Sequence, residues 1–211
     1  MINFLKQLRQ KLKYFYRQKR LKEHNFSIIS NNCWGTRTYQ KFGLQYYSPF
    51  QSLFIFAPDY IKLLQNFSIE KLVIKNFITK QESKYYTDLL KDDELRTTDY
   101  PIGVLIDDIE LHFLHYKTAE DAKNKWDKRV LRINMKKLVF KFSDGYLAND
   151  SYIISFDTLP LKNKICFTAK EYPSLKSVVY MDRFKGKSHV ALEWKYDKNY
   201  FNIYHFLNNL K

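Results

Sequence analysis

The stretch Phe26-Ser-Ile-Ile-Ser-Asn-Asn-Cys-Trp-Gly-Thr36 decides the fold class. Residues 26–30 are typical of a short buried strand, and residues 31–36 predict a polar turn that leads into a helix. Open α/β sheets bind ligands at the carboxyl ends of their strands, beside the free N–H groups of the helix that follows. The stretch therefore predicts an α/β fold with a candidate site at this turn. Its candidate substrate-binding residues are Ser30, Asn31, Asn32 and Trp34, and Cys33 adds a thiol.

Length and composition predict one ordered domain with a sizeable core. The 211 residues are 45% hydrophobic and 18% aromatic, which excludes a disordered chain. The low counts of 5 Gly and 5 Pro favour long elements over a turn-rich β-sandwich. Cys33 and Cys166 are the only cysteines, too few for a disulfide framework. They indicate a reducing compartment, so we expect a cytoplasmic location.

Half of the net charge of +14 lies in residues 1–24, which hold eight basic residues and one acidic residue. Leu5, Leu8, Leu12 and Phe15 have helical spacing in the same segment. A basic amphipathic helix with an apolar stripe suits the surface of an anionic bilayer, which predicts a peripheral position on the inner face of the membrane. The alternatives are a helix packed on its own domain and a helix that binds another partner. No nucleic-acid-binding motif accompanies the charge, so we expect no specific nucleic acid.

Strands and helices alternate along residues 25–211. The fold class that they predict is a single three-layer α/β domain with a mainly parallel or mixed sheet, preceded by the basic helix. Apolar and alternating runs predict strands at 51–56, 101–106, 109–115, 138–142, 164–168 and 176–180. Helical spacing and capping residues predict helices that start at Thr36, Pro58 and Thr118, and further helices at 147–157 and 200–210.

Four blocks of this sequence, in this order, resemble the DUF1919 family. They are Ser30-Asn-Asn-Cys-Trp-Gly35, Tyr39-Gln-Lys-Phe-Gly43, Phe54-Ile-Phe-Ala-Pro-Asp-Tyr60 and Asp108-Ile-Glu-Leu-His-Phe-Leu-His-Tyr116. Members of that bacterial family are often labelled exopolysaccharide or capsule biosynthesis proteins. The resemblance implies an α/β domain and a sugar-polymer context, and it carries over no catalytic residues. Thr36 stands where the family pattern has a second glycine, and Asp107 stands where it has a small residue.

The residues themselves predict transfer chemistry, first with Cys33 as a nucleophile. A thiol at a helix N-terminus gains thiolate character, because the helix dipole favours negative charge. His112 or His115 would act as the base, with Asp108 as its carboxylate, and an acyl donor would supply the group transferred to a sugar. Asp108 and His112 lie about 13 Å apart in an extended strand at ~3.3 Å per residue, so direct pairing requires a bend. The structural alternative for Cys33 is a small buried core residue.

A second hypothesis assigns Asp107 and Asp108 to a metal site. Adjacent carboxylates at the end of a strand bind Mg²⁺ or Mn²⁺, which would neutralise the diphosphate of a nucleotide-sugar during glycosyl transfer. The structural alternative for this pair is a solvated turn. The third hypothesis is a non-catalytic, membrane-associated accessory protein that binds glycan. Among the three we favour acyl transfer through Cys33, and the sequence leaves open whether the chain is an enzyme.

Overall fold

Helices and strands alternate along the chain. The computed structural model describes residues 2–211, so residue 1 of the predicted segment 1–24 lies outside the described range. The described residues form eight α-helices and seven strands. In chain order they are α1 (Ile2–Lys19), β1 (Ser27–Ser30), α2 (Trp34–Phe42), α3 (Ala57–Gln65), β2 (Ile74–Ile78), α4 (Tyr86–Leu89), α5 (Asp93–Thr97), β3 (Ile102–Leu105), β4 (Glu110–His112), α6 (Ala119–Val130), β5 (Leu138–Ser143), α7 (Asp150–Thr158), β6 (Lys164–Thr168), β7 (Val178–Tyr180) and α8 (Ile203–Asn208).

A four-stranded parallel sheet of order β1-β5-β6-β7 forms the middle layer. On β5, Val139 belongs to a core shared with α2 and α8, whereas Phe140 belongs to a core shared with α3, α6 and α7. The helices therefore cover both faces of the sheet, which confirms the predicted α/β fold class. Side chains alternate between the two faces of a strand, so Lys141 and Ser143 share the face of Val139.

A smaller antiparallel sheet of order β2-β3-β4 is inserted in the chain between β1 and β5. Asp107 and Asp108 form the turn between β3 and β4, with φ angles of 69° and 57°. Two successive positive φ angles are typical of a type I′ turn, and Asp tolerates this backbone better than most residues do. A single bridge of two 3.0 Å hydrogen bonds joins Phe54 to His112 at the outer edge of β4.

Local signals place several helix ends where the sequence predicts them. Gly43 ends α2 in the left-handed region, with φ of 65°. The Thr118 hydroxyl accepts a 3.1 Å hydrogen bond from the N–H group of Asp121 and so caps α6. Pro58 lies in the first turn of α3, where its missing N–H group costs nothing.

Other elements are shorter than predicted. The predicted strand 109–115 is paired only over Glu110–His112, because Leu114 and His115 enter a turn. The predicted strand 51–56 contributes only the Phe54 bridge. Among residues 2–211, no helix has both the length and the apolar character needed to cross a bilayer.

Candidate functional site

A cleft of about 360 Å³ lies at the carboxyl ends of β1 and β5. These two strands are parallel neighbours, so Asn32, just after β1, and Ser143, the last residue of β5, reach the same edge of the sheet. Glu193, which follows β7 in the chain, completes the floor of this cleft. The carboxyl edge of a parallel sheet is where open α/β folds bind ligands, so the cleft is the candidate site.

Glu193, on the cleft floor, forms a fully buried ion pair with Lys141, which lies behind the cleft lining. Lys141 Nζ donates to Glu193 Oε1, to Ser143 Oγ and, at 2.7 Å, to Asn32 Oδ1, so all three ammonium protons have acceptors. Glu193 Oε1 also accepts from Asn32 Nδ2 at 2.8 Å and from Ser143 Oγ at 2.9 Å. Within residues 2–211, no side chain donates to Glu193 Oε2. The side-chain network of the described residues thus fixes Glu193 Oε1 and makes no hydrogen bond to Oε2.

The Asp144 carboxylate and a backbone turn at Leu192 explain why the loop that carries Glu193 reaches the sheet. Asp144 accepts hydrogen bonds from the backbone N–H groups of Ala169, at 2.5 Å, and Val190, at 2.8 Å. These two hydrogen bonds connect the end of β6, and the loop that carries Val190 and Glu193, to the end of β5. Leu192 has a left-handed φ of 51°, and the single 3₁₀ turn Glu193–Lys195 follows it. This backbone turn directs Glu193 inward.

Burial and the charge of the partner have opposite effects on the pKa of each member of the Lys141–Glu193 pair. Burial lowers the pKa of Lys141, since the ammonium form is desolvated, although the Glu193 charge partly opposes this. Burial alone would raise the pKa of Glu193, but the Lys141 charge and the hydrogen bonds to Lys141 and Asn32 hold it below its usual value. Glu193 is therefore a carboxylate at neutral pH and acts as a hydrogen-bond acceptor.

The walls of the cleft are aromatic and its rim is polar. Phe56, Tyr146 and Trp194 line the walls, and Tyr146 is held by a stacked contact with Phe54 at a ring-centroid distance of 4.6 Å. Aromatic faces combined with hydrogen-bonding groups suit a ligand that has both apolar faces and hydroxyl groups. The polar side chains at the rim are Asp88, Lys91, Asp92 and His189.

Of the four predicted substrate-binding residues, Asn32 lines the cleft. Ser30 and Asn31 are buried behind Asn32. The Ser30 hydroxyl lies 3.4 Å from Asn32 Oδ1, and the Asn31 side-chain amide donates a hydrogen bond to the carbonyl oxygen of Ser143, the last residue of β5. Trp34 is buried in the core, and its indole N–H donates to Asp197 at 3.1 Å. The structure thus gives Ser30, Asn31 and Trp34 supporting positions around one residue that reaches the cleft.

Cys33 and His115 line a second, shallower pocket of about 180 Å³, together with Arg37. Burial raises the pKa of the Cys33 thiol to about 11, although the nearby Arg37 charge lowers it somewhat. This corrects the expected gain in thiolate character, because desolvation of Cys33 outweighs its place at the start of α2. His115 is exposed in the turn after β4 and does not lie on an apolar strand face.

His112 and Asp108 do not join Cys33 and His115. His112 is completely buried and stacks on Phe54 at a ring-centroid distance of 4.6 Å. Its Nε2 atom lies 3.4 Å from Glu110 Oε2, and in the described chain neither ring nitrogen has a hydrogen-bond partner. Asp108 pairs with Lys84 at 3.3 Å. The four predicted catalytic residues therefore occupy three separate places.

Asp107 and Asp108 are both engaged by lysine. Lys71 Nζ lies 2.9 Å from the Asp107 carboxylate, and its hydrogen bond holds the pKa of that carboxyl below its usual value. The pair occupies the β3–β4 turn, whose two positive φ angles account for it without a ligand. Within the described residues, no group of three or more His, Cys, Asp or Glu side chains is arranged to hold a metal ion.

No motif in the sequence marks Lys141, Ser143 or Glu193 as site residues. A lysine in the middle of the apolar strand Leu138-Val-Phe-Lys-Phe142 was a usable signal, since lysine is almost never fully buried unless it is paired. Glu193 gave no comparable signal, because it lies in a polar stretch and meets Lys141 only in the folded chain.

Comparison with known proteins gives two consistent matches. The model of the family described as "Domain of unknown function (DUF1919)" matches residues 4–210. A Haemophilus influenzae protein described as uncharacterized is 30% identical over 174 residues, which cover 82% of this chain and 76% of that relative. The matched range includes every residue of the cleft described above. The chain belongs to the DUF1919 family.

Proposed function

We propose that the chain binds a sugar or glycan in the cleft and acts on it as a transferase in the synthesis of bacterial exopolysaccharide or capsule. One observation carries the proposal: Glu193, on the floor of a cleft at the carboxyl edge of the parallel sheet, is held in place by a buried ion pair with Lys141. A buried ion pair seldom stabilises a fold more than apolar residues would, so its position beneath a cleft favours a role in recognition. The resemblance to exopolysaccharide and capsule proteins supplies the biological context, and the two free cysteines suit the cytoplasm.

A sugar matches the chemistry of this cleft. Its hydroxyl groups donate hydrogen bonds, and Glu193 Oε2 is an acceptor held in a fixed position. Its C–H faces pack on aromatic rings, and Trp194 and Tyr146 supply such rings. Because the pKa of Glu193 lies below its usual value, its carboxylate accepts a hydrogen bond from the sugar hydroxyl and so orients it.

Binding of neutral sugars tests this proposal directly. Saturation-transfer NMR against a panel of monosaccharides and oligosaccharides should detect a ligand of the wild-type protein. Glu193→Gln should weaken that binding at least tenfold, because the amide donates where the carboxylate accepts. Glu120→Gln, on the exposed first turn of α6, is the matched control and should bind as the wild type does. Absence of binding to the panel, or equal binding by Glu193→Gln, would contradict the proposal.

Acyl transfer through Cys33 is a second candidate, because Cys33 and His115 share one pocket with Arg37. With a thiol pKa of about 11, Cys33 would need His115 to remove its proton during attack. Incubation with short acyl-coenzyme A donors, followed by mass spectrometry, should then show an acyl adduct that is absent in Cys33→Ser and His115→Ala. Slow alkylation of Cys33 at neutral pH, rising only toward pH 11, together with no adduct, would remove this candidate.

A further inference from the structure

The apolar stripe of α1 is exposed, so it does not pack on its own domain. Leu8 and Leu12 are 45% and 48% exposed, and Phe4 is 68% exposed. Large apolar side chains grouped on one face of a helix mark a surface for contact with another molecule or a membrane. The exposed set consists of Phe4, Leu5, Leu8, Leu12, Phe15 and Tyr16.

The charge of α1 lies beside this stripe. At about 100° per residue, the six exposed side chains fill an arc of about 120° around the helix, and the basic side chains at 6, 9, 13 and 17 fill an adjacent arc of about 80°. Residues 1–22 include no Asp or Glu. An apolar arc flanked by cations is the pattern of helices that lie in the plane of an anionic membrane interface.

The last turns of α1 are fixed to the domain. Tyr14 packs over Gly43, where a built Cβ atom would lie 2.5 Å from Tyr14 Cγ. The Arg17 guanidinium donates to the Lys41 carbonyl at 2.7 Å, and the Gln18 amide donates to the Phe42 carbonyl at 2.9 Å. These contacts hold α1 on the C-terminal end of α2 while its apolar arc stays uncovered. The orientation of α1 relative to the domain is therefore fixed, and its apolar arc faces away from the domain.

A basic pocket of about 340 Å³ continues the charge of α1 across the domain. Arg17 belongs to both, and Asp197 is the one acidic residue among those that line the pocket. Trp194 lines this pocket and also the cleft of the candidate site, so the basic surface and the cleft share this one side chain. The cations in the pocket are Arg17, Arg37, Lys41, Lys195 and Lys198.

We propose that α1 and this basic pocket form a docking surface for an anionic lipid bilayer. The apolar arc enters the headgroup and acyl-chain boundary, and the flanking cations contact lipid phosphates. A second copy of the chain fits less well, because two such helices would bring like charges together. A nucleic acid would meet the cations but leave six apolar side chains in water. The bilayer is the occupant that satisfies both features.

Vesicle co-sedimentation with the full chain tests this proposal. The wild type should pellet with vesicles of phosphatidylcholine mixed with phosphatidylglycerol, should pellet less with phosphatidylcholine alone, and should be released by high salt. Leu8→Ser/Leu12→Ser should reduce partition at least tenfold. Lys6→Gln/Lys13→Gln should reduce it about thirtyfold, since each cation near such a surface contributes roughly fivefold.

Matched controls remove the same groups elsewhere on the surface. Leu131 is 88% exposed outside α1, so Leu131→Ser should partition as the wild type does. Lys128→Gln/Lys136→Gln has the same net charge as the α1 double variant and should lose far less binding. Wild-type melting temperatures in all variants exclude misfolding. Equal partition by the α1 and control variants would overturn the proposal, as would concentration-dependent dimers that disappear in Leu8→Ser/Leu12→Ser without any vesicle binding.

Discussion

Three acceptors, chief among them Glu193, offset part of the desolvation cost of the Lys141 ammonium group. Removing one member of such a pair leaves the other charge buried without its partner. Lys141→Met should therefore lower the free energy of unfolding by about 3–5 kcal/mol. Lys141→Met/Glu193→Gln should lower it by less, because no uncompensated charge remains. Urea denaturation of the single and double variants measures this difference.

The exposed pair Lys123–Asp127 offers the matched control, with its charged atoms 2.6 Å apart on α6. Lys123→Met should change the free energy of unfolding by no more than about 1 kcal/mol, since solvent screens this pair. If Lys141→Met were no more destabilising than Lys123→Met, the loss of the buried Lys141 charge would not leave a costly unpaired carboxylate at Glu193.

His112 should make the protein sensitive to mild acid. Burial lowers the pKa of His112, although the neighbouring Glu110 charge opposes this. Below about pH 6.5 the unfolded chain therefore binds a proton that folded His112 does not, so stability falls as pH falls. His112→Phe should reduce the slope of stability against pH by up to about 1.4 kcal/mol per pH unit. Urea unfolding between pH 7 and pH 5 tests this, and equal slopes in both proteins would contradict it.

At the level of residues, the sequence predicts the edge of the sheet that carries the site but only part of the site itself. Asn32 is predictable because it directly follows a recognisable strand. Glu193 is not predictable, since its partner Lys141 is 52 residues earlier in the chain and sequence spacing does not indicate a pair so far apart. The hypotheses on Cys33 and Asp108 relied on local position alone, and burial and lysine pairing then changed the environment of each.

Among the elements, the attachment of α1 depends on the glycine that ends α2. Gly43→Ala should introduce backbone strain at φ 65° and displace the Tyr14 ring. We therefore expect α1 to detach, and trypsin to cleave faster at Arg17, Lys19 and Arg20. Limited proteolysis followed by mass spectrometry measures these rates.

Gly186→Ala is the control, because Gly186 has φ of 79° but no atom within 4 Å of a built Cβ atom. It should carry a similar backbone strain of about 1–2 kcal/mol without faster cleavage in α1. Equal cleavage of both variants would show that strain, and not the Tyr14 contact, controls the attachment.

Elements with strong local signals are predictable from this sequence. Gly43, Pro58 and Thr118 each act through their own backbone or a nearest neighbour, and each marks the helix end predicted for it. The stretch 51–56 is different, because a strand needs a partner along its length. In the structure this stretch pairs with another strand only at Phe54, and apolar composition alone does not show how many of its residues will find a partner.

At the scale of the whole molecule, β1 and β5 are neighbours in the sheet although residues 31–137 separate them in the chain. By contrast, β5, β6 and β7 follow one another in both sequence and space. Long-range parallel pairing is slow, because the entropy of closing the loop must be lost before any contact compensates for it.

This connection has a consequence for synthesis on the ribosome. At the usual elongation rates, roughly 5–20 s pass between the appearance of β1 and that of β5. During that interval β1 has no partner in its own sheet, and its apolar residues Ile28 and Ile29 are available to chaperones. We expect nascent chains arrested before residue 138 to leave β1 open to protease, and chains arrested beyond residue 180, once clear of the exit tunnel, to protect it. Protection of β1 in the shorter chains would show that the inserted antiparallel sheet shelters this strand by itself.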